Sequence, residues 1–303
     1  MSVHNSADTL DRTLDSILDQ DFMDLEFIVI DDGSTDGGGE LLDRRARADP
    51  RLVVVHQQNT GLTVALQRGC GHARGTYIAR QDAGGDISMK SRLQLQVKQL
   101  QACPEAVMVS CATRSVGPDD EFLFNIAMTE AELRDGLHTL RLPGLRGPSH
   151  HGNTMFRRDA YELVGGYRPA FVVAQDMDLW LRMIEVGRCL SMPEVLYQAK
   201  HTLGSISSRH GDRQRQFGLA AMECARQRRA GKPEPDWEVP LITKSAGKTR
   251  SLRAESAAFH YFIASCLRSH DPAAARVHLL RGLRSKPTLA PAWWRLIQLW
   301  WRR

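Results

Sequence analysis

Apolar positions in the first two hundred residues switch between two periods. In SADTLDRTLDSILDQ (6–20), Leu10, Leu14, Ile17 and Leu18 recur at helical spacing behind the cap candidates Ser6 and Asp8, which predicts an amphipathic helix. LEFIVID (25–31) is a short β-branched run stopped by DGSTDGGG, the pattern of a strand covered on both faces in a parallel sheet. GELLDRRARAD (39–49) predicts a helix, RLVVVHQ (51–57) a strand, GLTVALQRGCGHARG (61–75) a helix and TYIARQD (76–82) a third strand. Further on, DLWLRMIEVG (178–187) predicts a helix with Leu179, Met183 and Val186 inward. Serial strand–helix–strand units imply a doubly wound α/β sheet, whose ligands sit beyond the carboxyl ends of the strands. Two acidic loops, Asp31–Asp36 and Asp82–Asp86, fall on that edge.

Beyond about Arg209 the pattern changes. Residues 211–235 read as a basic helix ending in a Gly/Pro linker, and 254–303 as helices broken at SHDP and SKPTLAP. Small and large apolar residues alternate there as in a degenerate tetratricopeptide-like hairpin, too short to stand alone and expected to pack on the α/β part. The expected division is therefore an α/β domain over 1–210 and a helical extension over 211–303. Its last helix combines Trp293, Trp294, Trp300 and Trp301 with Arg295, Arg302 and Arg303. That mixture suits a membrane interface rich in anionic lipid, and equally a core or a partner surface.

Composition narrows the class. The 303 residues are 42% hydrophobic and 25% charged, typical of a globular chain with a full core. A net charge of +5 favours an anionic partner without saying which. A nucleic-acid protein would need a basic stripe with interleaved aromatics, so nucleic acid ranks last. Six cysteines without a CxxC pair indicate neither a zinc site nor a disulfide framework. With no secretory leader pattern after Met1 and no apolar run of spanning length, the expected location is the cytoplasm, with a peripheral contact at the inner face of the membrane.

FIVIDDGSTDG, NTGLTVALQRG, RGTYIARQDAGGDIS, HHGNTMFRRDAYELVGGYRP, AQDMDLWLRMIEVGR and GSISSRH come in the order found in family 2 glycosyltransferases of the GT-A fold, which the first 210 residues resemble. A motif series is far more specific than any single acidic pair. The resemblance implies a Rossmann-like, doubly wound mixed sheet and an inverting transferase. Its donor would be a nucleotide-activated sugar, UDP-linked or another nucleoside diphosphate, used with Mg²⁺ or Mn²⁺. No Q-x-x-R-W box follows, so single-sugar rather than processive transfer is expected, to a glycan or lipid-linked acceptor in surface polysaccharide or glycoconjugate synthesis.

Carried onto this chain, the resemblance places Asp31 and Asp32 at the nucleoside, with Asp32 reading the base, and puts Asn5, Arg80 and Asp82 around the nucleotide. The family's Asp-Ala-Asp-Asp loop is altered here: one residue is inserted and the middle acid is glycine. Asp82 or Asp86 would hold the cation, with His201 a further candidate. Gly84 and Gly85 could let Asp86 swing back to the metal, or turn backbone amides toward the phosphates. Asp176 matches the second acid of the catalytic pair and would take the acceptor proton; Asp178 reads as structural. His151 and Tyr167 are the acceptor candidates, Tyr167 equally a core plug. A catalytically impaired sugar-nucleotide binding protein, favoured by the altered loop and opposed by Asp32 and Asp176, or an interaction protein acting through its helical tail, is the alternative.

MSVHN matches only the turn that ends the first, central strand of such folds. The expectation is that the true start lies upstream and that Asn5 marks the end of the missing strand.

Overall fold

The computed structural model describes residues 1–141, 144, 146–204, 211–235 and 251–300. Its elements in chain order are β1 (Ser2–Val3), α1 (Ala7–Leu18), β2 (Phe27–Asp32), α2 (Gly38–Ala48), β3 (Leu52–Gln57), α3 (Leu62–His72), β4 (Tyr77–Ala79) and β5 (Ile87–Ser88). There follow α4 (Arg92–Ala102), β6 (Ala106–Val116), β7 (Phe122–Ile126), α5 (Glu130–His138), β8 (Met155–Arg157), α6 (Arg158–Leu163), α7 (Gln175–Met183) and β9 (Arg188–Lys200). Four more helices are α8 (Gly211–Arg229), α9 (Leu252–Leu267), α10 (Pro272–Ser285) and α11 (Ala290–Trp300).

The strands form two sheets. One is wholly parallel in the order β1-β2-β3; the other is mixed, β4-β8-β6-β9-β5, with β7 paired to β6. The apolar stripe of α1 is buried as its spacing predicts: Leu10, Leu14, Ile17 and Leu18 pack with Val29 of β2 and Leu42 of α2. β6 is buried at all but one position, because β9 and β8 flank it while helices cover its faces. β2 ends where Asp31 and Asp32 meet the turn into α2, β4 runs into the 80–86 loop, and α7 begins at Gln175. These ends converge on the carboxyl edge, where the site lies.

Three expectations change. Helix α7 stops at Met183, so Leu179 and Met183 are buried but Val186 is 40% exposed. Helix α8 does not belong with the extension: Phe217, Ala220, Ala221, Cys224 and Ala225 lie in the same core as Leu179 and Trp180 of α7. A basic, low-contrast helix gave no sign of this, because its inward residues are mostly alanine. The predicted single sheet is also split in two between β1 and β4.

Helices α9, α10 and α11 form their own core through Ile263, Leu267, Leu279, Leu283 and Leu299, closed by Leu123 of β7. A hydrogen bond of 2.8 Å between His270 Nε2 and the Phe122 carbonyl, and a pair between His278 and Glu121, fasten them to the β6–β7 hairpin. Among the described residues no helix is long and apolar enough to cross a membrane.

Candidate active site

The carboxyl end of β2 delivers Asp31 and Asp32, both buried. Asp31 accepts from the Ser34 amide (3.0 Å) and from His56 Nδ1 (2.8 Å). Burial pushes its carboxyl up, but these donors outweigh it and hold the group below the ordinary range. Asp32 gathers the turn after β3: Oδ1 accepts from Gln57 Nε2 (2.7 Å) and the Thr60 amide (2.8 Å), and Oδ2 from the Gly61 amide (2.9 Å). Most of the acceptor capacity expected to read a base is thus occupied by the 57–61 turn. Asn5, at φ 50°, accepts from the Thr35 amide (2.8 Å) and ties the end of β1 to the Asp31–Asp36 loop.

The 80–88 loop is held from below by a buried cation that the sequence reading passed over. Arg92, fully buried in the first turn of α4, donates to Ser88 Oγ (2.6 Å) and the Arg80 carbonyl (2.6 Å), and its guanidinium lies 5.1 Å from the Tyr197 ring centre. Arg80 in turn donates to Asp82 Oδ1 at 2.6 Å. Burial alone would raise Asp82, yet Arg80 and the two neighbouring histidines bring it down to about 2.

Gly84 and Gly85 take φ of 89° and 96°, a left-handed pair that doubles the loop back on itself. The result aims Asp86 toward Asp82. Asp86 is fixed by the Lys200 amide (2.8 Å) and the Tyr197 hydroxyl (2.9 Å), and burial, with Asp82 adding and His150 opposing, pushes it up to about 6. Asp82, Asp86 and His150 each offer a ligand atom, all within 4.8 Å of one another. His150 Nδ1 lies 3.7 Å from Asp82 Oδ2, and its Nε2 3.8 Å from Asp86 Oδ2. Two carboxylates and one imidazole form a donor set that fits Mn²⁺ or Mg²⁺.

The neighbouring histidine has the opposite fate. His151, expected to face the acceptor, turns inward: its Nε2 lies 2.7 Å from the hydroxyl of Tyr167 and 3.3 Å from Arg80 Nε. Burial, then Arg80, lowers it to about 3, so it is neutral. Tyr167, the other acceptor candidate, is 0% exposed and plugs the core against Tyr161. Both are buried, His151 in contact with Arg80 and Tyr167 in contact with His151. Two adjacent histidines look alike in sequence, and the turn at 149–152 decides which one faces out.

Asp176 stands half-buried at the start of α7, after Ala174 at φ 56°. Burial raises its carboxyl, the Met177 amide opposes, and the charges of Asp82 and His150 are both felt there, which places the three in one electrostatic neighbourhood. Asp178 faces away and is structural: it accepts from Arg182 (2.5 Å) and Arg168 (3.0 Å). A bond of 2.7 Å from Thr63 Oγ1 to the Phe171 carbonyl links the first turn of α3 to the segment leading into α7. His201 is not one of the three converging ligands. Its ring packs between Phe124 and Phe262, and burial lowers its basicity. The GSISSRH motif lies outside the described residues apart from Gly204.

The carboxyl edge of the sheet thus carries the paired acids Asp31 and Asp32, the Asp82, Asp86 and His150 cluster, and Asp176, whose carboxyl burial raises. The glycosyl transferase family 2 model matches residues 1–165, more than half of the chain, and the protein belongs to that family: it is a glycosyltransferase. It is 32% identical over 217 residues to "Putative glycosyltransferase EpsE" of Bacillus subtilis (strain 168), covering 69% of this chain and 74% of that one. It is 34% identical over 216 residues to "Putative teichuronic acid biosynthesis glycosyltransferase TuaG" of the same organism, covering 68% and 79%. The mannosyltransferase PcManGT from Pyrobaculum calidifontis, solved with GDP-Man and Mn²⁺, shares the fold at TM-score 0.54 and 23% identity, over 98% of this chain and 77% of that one.

Proposed function

We propose that the protein is an inverting, nonprocessive transferase that moves one sugar from a nucleoside-diphosphate sugar to a hydroxyl of a glycan or lipid-linked acceptor in surface polysaccharide synthesis. The observation that carries this is the convergence of Asp82, Asp86 and His150 within 4.8 Å, with the charges of Asp82 and His150 felt at Asp176, a carboxylate whose proton affinity burial raises. PcManGT holds GDP-Man and Mn²⁺ on the same fold, which supports a nucleotide-sugar donor and a divalent cation here.

Asp82, Asp86 and His150 would hold that cation, which when bound neutralises charge developing on the leaving diphosphate. Asp31 and Asp32 sit at the nucleoside end; through its bonds to the 57–61 turn, Asp32 shapes the floor on which the base lies. Asp176 accepts the proton of the acceptor hydroxyl as that oxygen bonds to C1 of the sugar. The C1–O bond to the diphosphate breaks on the opposite face and inverts the centre. A raised carboxyl is a stronger base than a solvated one, and general base assistance contributes about 10²–10⁴ in rate.

Helix α11 supports a lipid-linked acceptor. Trp293, Trp294, Ile297 and Trp300 are 47–74% exposed and share one helical face, while Trp301, Arg302 and Arg303 lie outside the described residues. Residues 251–303 carry nine Lys and Arg against two Asp and Glu, so the rest of the chain is close to neutral. An apolar tryptophan face within a basic segment matches an anionic membrane surface.

A thermal-shift panel of nucleoside diphosphates and their sugars, with and without Mn²⁺, tests the donor site. Stabilisation by one nucleotide, increased by Mn²⁺, is expected, and no response to any nucleotide would remove the proposal. Asp176→Asn should abolish transfer while leaving donor stabilisation intact. Cosedimentation with anionic but not zwitterionic vesicles tests the α11 face.

A further inference from the structure

The three candidate cation ligands come from separate stretches of chain, Asp82 and Asp86 from the loop after β4 and His150 from the turn before β8. One buried side chain touches all three. Tyr197 of β9 is 0% exposed; its hydroxyl lies 3.2 Å from the Asp82 amide nitrogen and 2.9 Å from Asp86 Oδ2. Its ring stacks on the His150 imidazole, with centres 5.2 Å apart and planes at 29°.

The direction of the two hydrogen bonds is fixed. A backbone N–H only donates, so the phenol oxygen accepts from Asp82 and its single proton goes to the carboxylate of Asp86. One atom thereby clasps the two ends of the loop that Gly84 and Gly85 double back. Gln81 Nε2 clasps the same two residues at 3.1 Å each, but through their backbone carbonyls rather than through a carboxylate.

Tyr197 is itself hard to displace. Its backbone is paired on both sides, to Ser88 of β5 and to Thr113 of β6, and the Arg92 guanidinium lies 5.1 Å from its ring centre. The turn that carries His150 leaves no spare room around it. A β-carbon on Gly152 would stand 2.0 Å from the hydroxyl oxygen and 3.2 Å from Asp82 Oδ2, so no side chain fits at 152 while the phenol is in place.

We propose that Tyr197 is a positioning residue for the cation site: from a rigid strand its hydroxyl sets Asp86 against Asp82 and its ring sets the plane of His150, so the three ligands are converged before a cation arrives. The proposal rests on reading that cluster as the divalent-cation site of sugar transfer. Ligands already gathered spend no binding free energy on ordering, so a site released from Tyr197 binds the same cation more weakly. The nucleoside end is held by other bonds, those of Asp31 and Asp32, and keeps its affinity.

Tyr197→Phe keeps the ring and its stacking and deletes only the hydroxyl. Calorimetric titration of Mn²⁺ in the presence of nucleoside diphosphate should show affinity reduced by about tenfold, the scale of one hydrogen bond to a charged group. Binding of the nucleoside diphosphate without Mn²⁺ should stay within about twofold of wild type. Turnover should divide in the same way: the Mn²⁺ concentration for half-maximal rate rises about tenfold, and kcat at saturating Mn²⁺ returns to within about threefold of wild type. A merely structural role would lower Tm and kcat together, without recovery on added Mn²⁺ and with Mn²⁺ affinity unchanged. Gly152→Ala crowds the same hydroxyl while leaving Tyr197 in the chain, and should weaken Mn²⁺ binding by at least as much. Wild-type Mn²⁺ affinity in Tyr197→Phe, or in Gly152→Ala should the first variant be insoluble, would overturn the proposal and leave the cation site standing. A wild-type nucleotide response that Mn²⁺ does not change would instead remove the cation reading, and this proposal with it.

Discussion

Replacing Gly85 by alanine probes the feature that most distinguishes this site, the doubled-back loop that brings Asp86 to Asp82. At φ 96° an L-residue is strained, and a left-handed conformation costs about 1–2 kcal/mol. A β-carbon there would also stand 2.9 Å from Lys200 Cδ and 3.4 Å from Thr9 Cγ2. Lys200 cannot yield freely: its amide holds Asp86 at 2.8 Å and its ammonium holds Asp120 at 2.9 Å. Relief of the contact therefore loosens Asp86.

Gly84 is the internal control. Its φ of 89° carries the same backbone cost, but nothing lies within 4 Å of its missing β-carbon. Both variants should lose about 2–6 °C in Tm, whereas only Gly85→Ala should weaken Mn²⁺ binding, by about tenfold if some 1.4 kcal/mol of strain is relieved at Asp86. Calorimetric titration of Mn²⁺ in the presence of nucleoside diphosphate measures this. Wild-type Mn²⁺ affinity in Gly85→Ala, alongside matched losses of Tm, would refute the reasoning that this turn builds the ligand cluster.

Further outcomes follow from neighbouring parts of the structure. His150→Ala should cost the Mn²⁺-dependent part of donor stabilisation and leave Tm without ligand nearly unchanged, since the side chain is about a third exposed; retained Mn²⁺ dependence would take His150 out of the site. Asp178→Ala should destabilise the fold by about 3–5 kcal/mol in urea denaturation, because it strands the buried guanidinium of Arg182, 6% exposed, without its carboxylate. His260 is lowered to about 4 by burial and by His278 and Arg281, against the pull of Asp119 and Glu121. Between pH 6.5 and 4 the unfolded imidazole therefore binds the extra proton and stability falls as pH falls. Hydrogen exchange in α9 and α10 should accelerate across that window, and substitution of His260 by Phe should flatten the response.

Local pattern alone was enough for the α1 stripe, the strand cores at 27–32 and 52–57, the acidic edge and the family, because helix and strand periods and motif order are properties of neighbouring residues. What sequence could not convey involves residues brought together from afar. Arg92 reads as an ordinary helix cation until its burial beneath the 80–88 loop is seen. His150 and His151 are interchangeable on paper, yet one turns to the acids and the other to Tyr167. The alanine-rich face of α8 shows no contrast until α7 packs against it. Asp32 was expected to present its carboxylate to a ligand, and its oxygens proved to gather the turn after β3.

The amino-acid order by itself determined which chemistry this chain carries: acids at strand ends, glycines where the loop must reverse, and a carboxylate at the start of a helix. Only the tertiary structure decided how those groups are used, because a side chain's role depends on burial, on the charges around it and on the direction the backbone gives it. These are set by contacts between segments separated by tens to more than a hundred residues, such as Lys200 with Asp86 and Tyr197 with Asp82.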